Sequence, residues 1–474
     1  MRRPWWLLAA ASPLLAQTQS LAPGQFFLLA EQARTAFTIE GAGARAAGTG
    51  GAFIAVADDA TAVSFNPAGL GQLQRPEVSL VGQWTSRNLD LTGFQGQNAG
   101  QNATFSDTWS HNTSVRPTFA SLAIPWQSGG LNRTFLISYQ RLFDFTNSVD
   151  DGYQGLASGG SATQSVSQQF SQNGGMDLYS AGLGAELSAR ILLGASVNYW
   201  TGHSSFSSNS AAQTSGVGVP FYSVLSQDTQ FRGFNFNLGL IWRSRWLNLG
   251  LVYRTPYTAN YLFSNNYTYV SNSNFMPTTQ SGPRTQADVR WPETIGWGFG
   301  LHPGSRLLVT ADCSRTPWSR AHLVAPGTPY DGLNWFDYQN PTGTRDTTDY
   351  HAGAEWLAVV RDNLVLPIRA GWFREPQPVV DPQTGSQRVL QGWTLGSGVK
   401  FRNLTFDLAY KEAHDVRYVS RFDTDSPVGG FSATALGYEH LLERSLYASV
   451  IWQLDEGWVH RALSWTFLGG GPPS

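Results

Sequence analysis

The 474-residue chain has a single cysteine, Cys313. One thiol cannot close an internal disulfide, so a small disulfide scaffold is excluded and the fold must stand on hydrogen-bonded closure. Charged residues make up only 14%, against about a quarter in soluble proteins. No stretch reaches the roughly eighteen consecutive apolar residues of a transmembrane helix, which excludes a helical membrane protein. No Pro/Ser-rich linker or charge run divides the chain into domains. A net charge of −2 gives no reason to expect a nucleic-acid partner. Motifs that carry chemistry are missing too. The eight histidines are scattered, with no HExxH and no close pair at metal-ligand spacing. There is no GxSxG, and Gly48 to Gly51 lacks the Lys-Ser/Thr of a phosphate loop. No metal, no cofactor and no enzymatic activity are expected.

What is abundant points elsewhere. Aromatics reach 13%, with 18 Trp, and there are 50 Gly. From Glu77 to Leu454, stretches of about ten residues with period-two hydrophobicity alternate with connections that are in turn short and long. That rhythm is the signature of an outer-membrane barrel, with apolar side chains toward lipid and polar ones toward the lumen. About fourteen such stretches occur, starting near Glu77, Val115, Thr134, Asp177, Arg190, Thr229, Trp246, Ala287, Arg306, Thr348, Asn363, Val389, Leu404 and Arg444. An even number with short turns at Gly129-Gly130, Ser188-Ala189, Ser244-Arg245, Pro303-Gly304, Arg361-Asp362 and Arg402-Asn403 puts both ends of the wall on the periplasmic side. The connections Asn88 to Ser114, Ser148 to Gly175, His203 to Asp228, Ser264 to Gly282, Arg320 to Arg345, Glu375 to Arg388 and Arg417 to His440 are expected as external loops.

Parity assigns faces. Leu238 and Leu249 should meet lipid, and Asn237 and Asp407 the lumen. The candidate lumen charges are Arg254, Arg369, Lys400 and Asp407, with Glu186, Asp312 and Glu355 on the same face. The apolar run that includes Val219, Phe221, Tyr222 and Leu225 lies in an expected external loop. It is a candidate hydrophobic ligand groove, with loop packing or an upward extension of the sixth strand as the alternatives.

The chain opens with Arg2, Arg3 and a mostly apolar run to Ala16, read as an export signal over residues 1–16, with 22 as the alternative end. Residues 21–74 are Gly/Ala-rich and do not alternate. They are compact and sparsely charged enough to sit inside a barrel as a hatch, the other reading being a periplasmic leader. Asp58-Asp59 could start a helical turn that Asn66-Pro67 ends. The barrel is expected over residues 75–454. Residues 455–474 are expected as a periplasmic tail or an extra strand.

The run "GARAAGTGGAFIAVADDATAVSFNPAGLGQL" resembles the N-terminal hatch of the FadL-type outer-membrane transporters of long-chain fatty acids and aromatic hydrocarbons. Asn66-Pro67-Ala68 matches that family's NPA motif. "LNLGLVYRTPYTANYLF" and "WPETIGWGFGLHPGSRLLVTADCSRTPWS" are similar to family hairpins. The resemblance implies a fourteen-strand barrel plugged by the hatch, with Asn66, Pro67 and Ala68 at the gate. It also implies passive uptake of a hydrophobic small molecule, most of all long-chain fatty acids or related hydrocarbons. The expected setting is a monomer in outer-membrane lipid, inserted by the barrel-assembly machinery. An anchoring barrel of a secretion system and an outer-membrane hydrolase with a Ser–His pair near the rim are the alternatives.

Overall fold

The computed structural model describes residues 41–98, 101–105, 107–156, 163–214, 221–270, 276–281, 284–324, 331–332, 334, 344–381, 383–423 and 433–455. The export signal, residues 456–474 and Val219 therefore lie outside the described residues.

Fourteen antiparallel strands close into one barrel. They are β1 (Glu77–Asn98), β2 (Thr108–Ser128), β3 (Leu131–Asp144, continued by Asn147–Leu156), β4 (Thr163–Ser188), β5 (Ile191–Thr214) and β6 (Phe221–Arg243). Next come β7 (Leu247–Arg254 and Tyr257–Val270), β8 (Thr285–Trp291 and Thr294–Leu301) and β9 (Leu307–Thr316, with His322–Val324 beyond a turn). The wall ends with β10 (Thr347–Arg361), β11 (Leu364–Val380), β12 (Gln387–Phe401), β13 (Leu404–Asp423) and β14 (Ala433–Gln453). Closure joins β14 to β1, from Glu77 opposite Gln453 to Asn98 opposite Ala433. A closed ladder leaves no edge, so every backbone polar group of the span can be satisfied without water.

Face assignment follows the period-two pattern. Leu238 and Leu249 are about half exposed on the outer surface, at 50% and 46%, whereas Asn237 and Asp407 are buried on the lumen side. Trp126, Trp246, Trp356 and Trp452 all face outward within a few residues of a short turn. Amphipathic rings are favoured at that depth because one end meets lipid and the other the headgroups.

The expected external loops differ from the structure. Strand reaches well into several of them, because β1 runs on to Asn98, β2 begins at Thr108, and β4 pairs with β5 from Gln164 opposite Thr214. Antiparallel hydrogen bonding continues above the membrane, where the outer face no longer meets lipid and no apolar alternation is required. Ser, Gln and Asn then fill both parities, and the hydropathy signal disappears while the ladder persists. The candidate groove is corrected for the same reason. Phe221 to Asp228 is the upper part of β6, with Tyr222 outward and Leu225 inward, so these two side chains do not line one groove.

Replacing Leu238 by Arg should destabilise the membrane-inserted barrel by about 2–4 kcal/mol, the cost of a cation at mid-depth in lipid. Leu238→Phe should be neutral. Heat-modifiable gel mobility across a urea series checks both.

Candidate functional site

Residues 41–74 occupy the lumen. Helices α1 (Ala44–Gly48) and α2 (Ala62–Phe65) are followed by a 3-10 helix, Pro67–Gln72. They are too short to stand alone and are held by the wall. Asn66 does not simply end α2 as expected. Its Oδ1 accepts the Ala68 N–H (3.1 Å), capping the 3-10 helix that Pro67 begins. Proline fits there because its fixed φ suits the first helical position and its missing N–H would have no partner. Asn66 Nδ2 donates to the Ile54 carbonyl (2.9 Å) and to the wall carbonyls of Leu240 (3.2 Å) and Leu251 (3.3 Å). Asn66, Pro67 and Ala68 are all buried against β5 and β6.

Glycines on the lumen face admit this backbone. A Cβ on Gly371 of β11 would lie 2.2 Å from Gly50 N, and one on Gly194 of β5 would lie 2.2 Å from the Pro67 carbonyl carbon. Gly239 faces Asn66 Oδ1 at 2.0 Å, Gly250 the Ile54 carbonyl at 2.5 Å and Gly353 the Thr49 carbonyl at 2.3 Å. Any larger residue there would push the hatch off its seat.

Charge fastens the same contact. Arg45 of α1 forks onto Glu355 of β10 (Nε–Oε2 3.0 Å, Nη2–Oε1 3.1 Å) and also pairs with Asp58. Arg369 of β11 bridges Glu355 and Asp407, both at 2.6 Å. Asp312 of β9 accepts the Phe53 and Ile54 N–H groups at 2.5 and 2.7 Å. Within the hatch, burial pushes the Asp59 carboxyl above its ordinary range, and neighbouring Asp58 adds to the shift. Arg369, Asp407 and Arg254 are buried at the lumen face, as their parity required. Lys400 shares that parity but stands exposed near the Arg402 turn, apart from the network.

On the outer side of the hatch lies a cavity lined by Phe65, Arg254, Asp312, Trp318, Asp349 and Phe373, among others. Above it, Trp200, Phe231, Tyr257, Trp291 and Trp318 form a buried aromatic cluster, with Trp200 stacked on Tyr257 at 5.4 Å and Trp291 edge-on to Trp318 at 5.1 Å. The cluster sits where three neighbouring strands break, at Pro256 in β7, Pro292 in β8 and Pro317 after β9. Proline removes a ladder donor and so marks such interruptions. Alternation in the sequence marks these stretches as strands but not where they break, and three prolines at one level are the signal for that.

The wall also opens between β2 and β3. Their ladder stops at Phe119 opposite Gln140. Above it β2 pairs with β1 as far as Thr108, while β3 bends and resumes at Asn147. Arg116 spans the gap to Asp144 (3.1 Å), and Asn112 donates to Asn147 Oδ1 (3.0 Å). Arg87 and Glu443 complete the polar lining.

A Ser–His pair does stand at the rim, with Ser205 Oγ 3.5 Å from His203 Nε2. The Ser205 hydroxyl donates to Asp228 instead (2.7 Å), and both charged partners are more than half exposed. A nucleophile needs its proton directed at the base and the base oriented by a third group, and this pair has neither. Among the described residues no group of three His, Cys, Asp or Glu side chains is arranged to hold a metal ion.

Residues 26–387 match the outer membrane protein transport protein family (OMPP1/FadL/TodX). The chain belongs to this family. Family members are outer-membrane transport channels for hydrophobic compounds, and this barrel is an outer-membrane protein. Among solved structures it is similar to a Pseudomonas aeruginosa FadL homologue (15% identity, TM-score 0.58, covering 89% of this chain and 99% of the other). It is also similar to the P. putida toluene transporter TodX (13%, TM-score 0.53, 88% and 100%). At these identities the likeness is one of fold. No curated protein matches by sequence.

Gly371→Val should leave a barrel that assembles but conducts ions more freely in planar bilayers, because the Gly50 backbone can no longer sit against β11. Gly304→Val, at a turn with open space around it and no positive φ, should affect conductance little.

Proposed function

We propose that this protein is a passive transporter that carries small hydrophobic compounds inward across the outer membrane. The observation that carries the reading is the succession along the lumen axis: an aromatic cluster toward the outside, a cavity beneath it, and a hatch seated against the wall below. Apolar molecules crossing the polar outer layer gain from transfer onto aromatic surface, and a seated hatch stops them from being followed by water and ions. Release proceeds through rearrangement of the hatch or sideways through the polar-lined gap between β2 and β3. The toluene transporter TodX and the monoaromatic hydrocarbon channel CymD (TM-score 0.50, 13% identity, covering 89% of this chain and 100% of the other) share this barrel. The aromatic cluster is the feature that favours small aromatic compounds over long acyl chains. Asn66, Pro67 and Ala68 are assigned to the gate, because the Asn66 cap joins the hatch's own fold to its contact with β6 and β7 in one side chain.

Asn66→Ala removes a cap worth about 1 kcal/mol together with the wall contacts, and Pro67→Ala loosens the turn. Both should change the rate at which cells take up an apolar aromatic tracer, at unchanged amounts of assembled barrel. Transport equal to that of the unaltered protein in both variants would remove the gate assignment and favour an anchoring role.

A further inference from the structure

Two carboxylate oxygens on residues that line the lumen cavity have no hydrogen-bond partner: Asp312 Oδ1 and Asp349 Oδ1. Their residues are 5% and 6% exposed. The two sit one step apart on neighbouring strands, since Asp312 lies opposite His351 and Ser314 opposite Asp349. Asp312 uses its other oxygen to hold the hatch amides, and the free one lies over Gly298 of β8. A buried acceptor left unmade is costly, because it has given up water and received nothing in return. Such an atom at the wall of a cavity calls for a donor from whatever enters it.

The remaining lining decides what kind of donor. Phe65, Phe373 and Trp318 supply flat apolar surface. The acids Asp312, Asp349 and Glu375 outnumber the cations Arg254 and Lys411. Lys411 lies 3.7 Å from Glu375 and over the Phe373 ring, and Arg254 donates to the Ser64 carbonyl. The carboxylate of a fatty acid would therefore enter a site whose acids outnumber its cations, which a low-dielectric lumen makes costly.

We propose that this cavity is a subsite for neutral, small aromatic molecules that carry one hydrogen-bond donor, the class of phenols and anilines, with Asp349 as the selecting acceptor. The assignment rests on the transporter reading and narrows its substrate class. The ring lies among Phe65, Phe373 and Trp318, and the donor reaches Asp349 Oδ1. A hydrocarbon of the same shape fits the ring surface but leaves the oxygen unpaired, and a fatty-acid anion is turned away.

The test is calorimetric titration of the purified full chain in detergent with p-cresol, p-xylene and laurate. The first two share shape and differ in the hydroxyl. p-Cresol should bind about tenfold more tightly than p-xylene, which is about 1.4 kcal/mol, and laurate should not compete with either. Asp349→Asn should reduce the p-cresol preference severalfold and Asp349→Leu should abolish it, with p-xylene affinity unchanged as the sign that the cavity is intact. If laurate binds more tightly than p-cresol, or if the preference survives both substitutions, the proposal is overturned. Binding of p-xylene and p-cresol with equal affinity overturns the donor subsite and leaves the transporter reading standing. If none of the three binds, both fall together.

Discussion

Everything inside this barrel depends on one close approach, in which the hatch backbone is laid directly against the wall backbone. It is possible only where the lumen position of a strand is glycine, as at Gly194, Gly239, Gly250, Gly353 and Gly371. Gly184 and Gly396 serve in the same way, against Gly71 and Gly48 of the hatch. The glycines thus define a seat of fixed height, and a segment of short helical turns acquires a unique position from the shape of its surroundings. The hatch also packs apolar side chains, among them Phe53, Val63, Phe65 and Leu70, in one cluster with Phe119 and Leu136 of the wall. The small residues of the hatch suit the space because they let two backbones meet.

Charge is sparse in this chain, and the lumen holds some of it where it does the most. Arg45, Glu355, Arg369 and Asp407 form a chain of buried ion pairs between hatch and wall. Removing one member of such a set leaves the others uncompensated, at a cost of several kcal/mol. A connected set of this kind confers register: the hatch can sit at one height with all charges paired, and a shift of one residue would break the set. Above it, the cavity and the aromatic cluster form a region of different character, apolar with a few acceptors. A ligand there meets surfaces that the hatch does not use.

The membrane-embedded part of the fold could be read from the sequence because lipid imposes a strict alternation. Leu247 to Arg254, Leu404 to Lys411 and the turns at Arg361-Asp362 and Arg402-Asn403 follow from it directly. The parts that could not be read are those where the constraint is absent. Above the membrane, Gln164 to Gln172 and His203 to Thr214 pair as strands although neither parity is apolar, and Tyr222 and Leu225 were placed together in a loop when they belong to opposite faces of one strand. The hatch motif gave the segment's place through family resemblance, while the reason for Asn66, a cap and a tie to two wall carbonyls at once, needed three-dimensional contacts. Arg45, Asp349 and the β2–β3 gap carry no local pattern. Each acquires meaning only from residues far along the chain, such as Glu355, Asp312 and Asp144.

The seating of the hatch is tested most directly by hydrogen–deuterium exchange of the folded protein, followed on peptides that cover residues 45–70. The amides of Gly50, Phe53, Ile54 and Ala68 donate to Thr394, Asp312 and Asn66 inside the lumen. They should exchange as slowly as those of the neighbouring strands Leu364–Val380 and Phe221–Arg243. Exchange of this segment at the rate of an unstructured peptide, with the strands still protected, would contradict a hatch held by the glycine-lined wall.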